Sequence, residues 1–232
     1  MKLIAQAETF RVFDDVLNEA EWAEVYTYLQ VEDFQPVHAQ TWKKVWRLSD
    51  GMSLRGPTVL ASAIDGDQRE LPAGLRPYPM KTGIDRVISR VIEEAAAFED
   101  LVGVKGGGWD RMTATATLYP QQTGLSWHLD GGGYTGAFIY YAHREWNAQW
   151  AGELLVADTS PAPGQMKRDH LDSSVESNWI LEQGTGRYVM PKPNRLVVLR
   201  GSTLHKLQRV DATAGDHVRC TIGGFFLRAA VR

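Results

Sequence analysis

The chain has 232 residues, of which 44% are hydrophobic, with eight Trp, eight Tyr and seven Phe. That length and composition suit one domain, residues 1–232, with a sizeable core. A net charge of −3 and a pI near 6.1 give no basic field for nucleic acid. The lone Cys220 excludes an internal disulfide. No apolar run approaches the ~20 residues of a membrane span. Residues 1–8 are too short and too polar for a signal peptide. The expectation is a cytoplasmic protein with neither a membrane nor a nucleic-acid partner.

The N-terminal third reads as helical. Trp22, Val25, Tyr26 and Leu29 recur at helical spacing after Asn18, a cap-forming residue. Ile84, Val87, Ile88, Val91, Ile92 and Ala95 form a second stripe, with Thr82 as its expected cap. Between them, Thr41 to Pro79 is mixed, with Trp42, Val45 and Trp46 on an early strand and loops at Gly51, Gly56, Pro57 and Gly66.

From residue 111 the period changes. Met112, Ala114, Ala116 and Leu118 alternate with Thr113, Thr115, Thr117 and Tyr119, as in a half-buried strand. Further strands are expected over 137–141, 153–157, 195–200 and 218–227. Residues 158–187 interrupt the pattern with Pro161, Pro163, Gly164, Gly184 and Gly186. They also carry Met166, Leu171, Val175, Trp179, Ile180 and Leu181, so the insertion reads either as a lid or as a segment simply packed on the barrel. Helical support over about 1–110, followed by a strand-rich core over about 111–228, predicts an α+β chain whose core is a double-sheet jelly roll.

The chemistry concentrates in Ser126-Trp127-His128-Leu129-Asp130-Gly131-Gly132-Gly133. A second imidazole, His205, follows the buried-strand pattern Arg195–Leu199. Two His and one Asp on one face of a metal leave its other positions open, the facial triad of non-heme Fe(II) oxygenases. A structural zinc site normally takes four protein ligands, often thiolates, and Cys220 is the only thiol. A catalytic zinc site with the same three ligands stays open on ligand chemistry alone. His38, His143, His170 and His217 have no evident ligand partner in the sequence. Downstream, Arg219 and Thr221 fall on one strand face, and a guanidinium fork beside a hydroxyl suits the far end of a dicarboxylate.

From about Thr113 to Phe226 the chain resembles the Fe(II)/2-oxoglutarate-dependent dioxygenases, in their prolyl-4-hydroxylase-like branch. The resemblance is carried by Tyr119-Pro120, His128-Leu129-Asp130, Phe138–Tyr141, Trp146, Gly152-Glu153-Leu154, Pro193–Val197, His205, Arg219-Cys220-Thr221 and Phe225-Phe226. It implies a double-stranded β-helix in which His128, Asp130 and His205 hold Fe(II). It also implies that Arg219 grips the distal carboxylate of 2-oxoglutarate, that Tyr141 assists, and that Tyr119 lines the same pocket. O2 would be the second cosubstrate, with succinate and CO2 as coproducts. Related halogenases lack the carboxylate ligand, so Asp130 argues for hydroxylation, although desaturation or ring closure would need no different ligands. Two features depart from the branch: a longer His205-to-Arg219 interval, predicting a bulge near Ala212–Gly215, and Gly131-Gly132-Gly133 in place of a bulkier loop.

The expected substrate is a small polar molecule, such as an amino acid or another biosynthetic intermediate. A prolyl-type protein hydroxylase is the alternative, and a non-catalytic jelly-roll binding or sensing module a third. Oligomeric state is left open.

Overall fold

The computed structural model describes residues 1–39, 46–131, 133–161 and 174–228. In chain order, β1 (Lys2–Gln6) and β2 (Phe10–Asp14) form a hairpin before α1 (Glu19–Val31). Then come β3 (Gln35–Pro36), β4 (Leu54–Ser62), β5 (Leu75–Pro77), α2 (Ile84–Glu93) and the short α3 (Glu99–Val102). The strand-rich part holds β6 (Trp109–Tyr119), β7 (Leu125–His128), β8 (Tyr134–Tyr141) and β9 (Leu154–Ala157). After α4 (Ser174–Gln183) follow β10 (Gly186–Val189), β11 (Arg195–Arg200), β12 (His205–Leu207) and β13 (Arg219–Arg228).

Two sheets result. The large one runs β1-β2-β11-β8-β13-β6-β4-β3, with β5 beside β4, and the small one runs β10-β9-β12-β7. The strands of 1–110 correct the helical reading of the N-terminal third. That reading missed β1, whose five residues are all exposed and so lack an alternating pattern, and β4.

Alternation decides which residues fill which layer. On β11, Leu196 and Val198 pack with the helices, whereas Val197 and Leu199 pack between the sheets. On β6, Met112, Ala114 and Ala116 face the helices, and Tyr119 the inter-sheet layer. Ile84, Val87, Ile88 and Val91 of α2 are fully buried on the back of the large sheet. Burying such side chains contributes about 1.5–3 kcal/mol each. These helices thus brace the wall on whose other side the pocket lies.

Asn18 caps α1 as expected, accepting from the Glu21 amide while Glu21 reaches back to the Asn18 amide. Thr82 does not cap α2. The flanking residue is Gly83, whose backbone packs so closely on α1 that a Cβ would sit 2.1 Å from the Glu24 carbonyl oxygen. Asn194, at φ 57°, clasps the β2–α1 link through the Leu17 amide and carbonyl and also accepts from Tyr140 Oη. The expected bulge before Arg219 is a short turn over Ala212–Ala214, capped by Asp211. Thr41, Trp42 and Val45 lie outside the described residues; Trp46 is buried between the sheets.

Candidate metal centre and adjoining pocket

β7 and β12 are antiparallel neighbours, and their register sets His205 directly opposite His128. Opposed residues share a sheet face, so the rings meet, with centroids 4.2 Å apart. His128 Nδ1 lies 2.8 Å from the Ser126 carbonyl, and His205 Nδ1 lies 2.8 Å from the Thr203 carbonyl. A carbonyl only accepts, so each Nδ1 carries a proton, and in the neutral ring Nε2 is the nitrogen with the ligating lone pair. Asp130 follows just after β7, with Oδ1 3.9 Å from His128 Nε2.

Ligand atoms of His128, Asp130 and His205 all lie within 4.8 Å of one another, and all three residues are largely buried. This set of two imidazole nitrogens and one carboxylate can hold one divalent ion and leave positions open. Beneath it, Asp50 Oδ1 accepts from the Ser126 amide and hydroxyl, and the Asp50 carbonyl accepts from Gly124. Asp50 thereby fixes the strand whose carbonyl orients His128, a support that the sequence analysis did not identify.

The three residues form part of the wall of a cavity of about 650 Å³ between the sheets. Tyr119 and Thr221, both expected at the site, also line it. Thr113, Thr115 and Thr117 line it too, so the threonine face of β6 is the pocket face. Gly224 lines the same wall, and a Cβ there would lie 1.7 Å from the Thr113 carbonyl oxygen, so no side chain fits.

Arg219 and Tyr141 take a different place. β13 pairs Arg219 with Tyr119, and Thr221 with both Thr117 and Tyr141. All four expected cosubstrate residues are thus neighbours, but Arg219 and Tyr141 are fully buried and lie off the cavity surface. The Arg219 guanidinium carbon lies 4.2 Å from the centre of the Tyr119 ring. Its Nη1 donates to the Gly152 carbonyl at 2.6 Å and the Gln208 carbonyl at 3.3 Å. Its Nε and Nη2, and the Tyr141 hydroxyl, are buried without a hydrogen-bond partner. Burial lowers the Arg219 pKa, and burial pushes the Tyr141 hydroxyl up to about 12. A buried cation with two open donors beside a neutral phenol is a receptor for an anion.

Of the other histidines, His143 is buried away from the centre, with its nitrogens at the Pro191 and Cys220 carbonyls. His217 stacks on Trp150. His170 lies outside the described residues, as do Gly132 and residues 162–173 of the candidate lid. Within the remainder of that segment, α4 lies against β7, with Val175 and Leu181 exposed. No helix among the described residues is long and apolar enough to cross a membrane.

No protein-family model and no curated protein matches the sequence. Solved structures do match. A Pseudomonas putida prolyl-4-hydroxylase superposes with a TM-score of 0.57 at 17% identity, over 94% of this chain and 92% of that one. A Trichoplax adhaerens prolyl hydroxylase, solved with a hypoxia inducible factor oxygen degradation domain peptide fragment, gives 0.56 at 16%, over 96% and 84%. A 2OG-Fe(II) oxygenase family oxidoreductase from Burkholderia pseudomallei gives 0.55 at 13%, over 95% and 86%. The chain therefore has the fold of these prolyl hydroxylase and 2OG-Fe(II) oxygenase structures, a double-stranded β-helix buttressed by helices.

Proposed function

We propose that this chain is an Fe(II)- and 2-oxoglutarate-dependent oxygenase that hydroxylates an unactivated C–H bond of a small polar molecule. One observation carries the reading: His128, Asp130 and His205 converge on the wall of the inter-sheet cavity, beside a buried guanidinium with open donors. When bound, Fe(II) with 2-oxoglutarate and O2 supplies the oxidising power, with succinate and CO2 released.

The protein's own groups do the rest. The Ser126 and Thr203 carbonyls hold the two imidazoles in the ligating tautomer, and Asp130 offsets part of the metal charge. Arg219 receives the distal carboxylate through Nε and Nη2, with Tyr141 Oη donating beside it. Because the Tyr119 ring covers Arg219, this docking displaces or turns that ring, and Thr221 supplies a hydroxyl on the pocket side. The apolar lower walls, Leu125, Leu207 and Ile139, keep water from the reacting carbon.

The cavity volume suits a small molecule, since such sites typically span roughly 300–1,000 Å³. The described end of the 158–187 segment, α4 against the histidine-bearing strand, suits a cover over it. The second reading, a protein hydroxylase, draws on the peptide bound by the Trichoplax relative. A panel of free amino acids and proline-containing peptides, scored by mass gain of one oxygen and by succinate formation, separates them. Small-molecule hydroxylation supports the first reading; activity on peptides alone overturns it.

A further inference from the structure

Unlike Arg219, Arg55 stands on the cavity wall itself, and the proposed chemistry does not use it. Arg55 lies on β4 just before Gly56-Pro57, where the register to β6 shifts. That bulge inserts residues between Arg55 and Thr58 and brings both side chains to one face. Arg55 Nη2 accordingly donates to Thr58 Oγ1 at 3.1 Å and to Thr115 Oγ1 at 3.2 Å, and Thr115 in turn donates to Thr58 at 2.9 Å.

The register then ties this group to the site. Arg55, Thr117, Thr221 and Tyr141 are successive partners across β4, β6, β13 and β8. Arg55 is therefore two strands from Thr221, roughly 10 Å at the usual strand spacing. Among the described residues it has hydroxyl partners only and no carboxylate at ion-pairing distance. The other arginine on this wall, Arg111, is neutralised by Asp67 at 2.6 and 2.9 Å. Burial lowers the Arg55 pKa, as expected of a cation lacking a counter-charge.

We propose that Arg55 is the specificity-determining residue of this pocket, binding the carboxylate of a small carboxylic-acid substrate. Thr58 and Thr115 aim the guanidinium, and the substrate body extends over Thr115 and Thr117 toward His128, Asp130 and His205. A guanidinium discriminates strongly between a carboxylate and its neutral amide, because only the former gives charge-assisted bonds. This inference rests on the oxygenase reading for the word substrate; the anion site itself does not.

The experiment uses Zn(II)-loaded protein, with and without saturating 2-oxoglutarate, titrated with isobutyrate, isobutyramide or inorganic phosphate. Amide chemical shifts are followed by NMR. Isobutyrate is expected to shift Thr58, Thr115 and Thr117 even with 2-oxoglutarate present, and isobutyramide to leave them unmoved. Arg55→Gln should weaken isobutyrate binding about tenfold or more, with Arg55→Lys recovering part of it. The 2-oxoglutarate affinity of Arg55→Gln should stay within about twofold of wild type, since a different guanidinium holds the cosubstrate. Thr115→Val, which removes an aiming hydroxyl without touching the charge, should weaken isobutyrate less and provides the reading if Arg55→Gln does not fold.

Equal binding of acid and amide, absence of isobutyrate binding, or its retention in Arg55→Gln would overturn the assignment. So would loss of 2-oxoglutarate binding in that variant, which would make Arg55 a cosubstrate residue, or a preference for phosphate. Failure of the oxygenase reading has a different signature: wild-type protein that shows no metal-dependent 2-oxoglutarate binding, whatever isobutyrate does.

Discussion

Replacing Arg219 by Met separates a binding role from a packing role. The side chain is fully buried, and its Nε and Nη2 lack partners. Unsatisfied buried donors cost roughly 1–3 kcal/mol each, so removing both relieves about 2–6 kcal/mol. Against this, the Gly152 and Gln208 carbonyls lose the one charged nitrogen they share, at 2.6 and 3.3 Å, worth about 1.5–3 kcal/mol. The Tyr119 ring loses its cation contact, worth about 0.5–2 kcal/mol. The terms nearly cancel, and the ligand-free stability of Arg219→Met should lie within about 2 kcal/mol of wild type. Ligand binding should not survive so well. Losing the charged contacts to the distal carboxylate weakens 2-oxoglutarate about ten- to a hundredfold. At a concentration 100 times the wild-type Kd, the ligand stabilises wild type by about 2.7 kcal/mol but the variant by only about 0.4–1.4 kcal/mol. Urea unfolding of Zn(II)-loaded protein with and without 2-oxoglutarate measures both quantities. Undiminished stabilisation by 2-oxoglutarate in Arg219→Met would refute the reasoning.

Three further outcomes follow from the geometry. Asp50→Ala frees Ser126 and with it the carbonyl that orients His128, so Zn(II) affinity measured by calorimetry should fall about ten- to a hundredfold; unchanged affinity would remove Asp50 from the support. Burial pushes the His143 pKa down to about 4, so below pH 6.5 the unfolded chain takes up a proton that the folded chain refuses. Stability from this group is complete above about 6.5 and declines as pH falls toward 4, by up to about 3 kcal/mol; in His143→Gln the stability difference between pH 7 and pH 4 should shrink accordingly, and an identical pH profile would contradict it. For α4, hydrogen exchange should slow when metal, 2-oxoglutarate and a turnover-competent substrate are bound, with exposed Val175 and Leu181 becoming covered; unchanged exchange with a confirmed substrate would remove it as a lid.

Where the sequence was informative, the elements were long enough to show a period. The eleven residues of β6 display their threonine and apolar faces plainly, and those faces became pocket and core. Asn18 declared the start of α1 by local chemistry alone. The short strands β7, β10 and β12 did not show, because three or four residues carry little alternation; the equally short β9 was expected from its apolar run Leu154–Ala157. Their identity depends on pairing, and it is pairing that places His205 opposite His128.

Arg55 was hidden for a related reason. Gly56-Pro57 reads as a loop, whereas in the fold it is a bulge inside β4 whose effect appears only against β6. Arg219 and Thr221 were assigned one strand face, and both do reach the same layer. The sequence could not show that the Tyr119 ring lies between Arg219 and the cavity. That depends on side-chain packing across two strands, not on spacing along one.

The central claim is that His128, Asp130 and His205 form one Fe(II) centre that turns over 2-oxoglutarate. It is tested most directly by measuring bound iron and O2-dependent succinate formation together, in wild type and in His128→Ala, Asp130→Ala and His205→Ala. Wild-type protein should hold one iron per chain and form succinate in an iron-dependent way, with both lost or sharply reduced in each variant while the thermal unfolding transition persists. Wild-type levels of iron and succinate in any folded variant would contradict it.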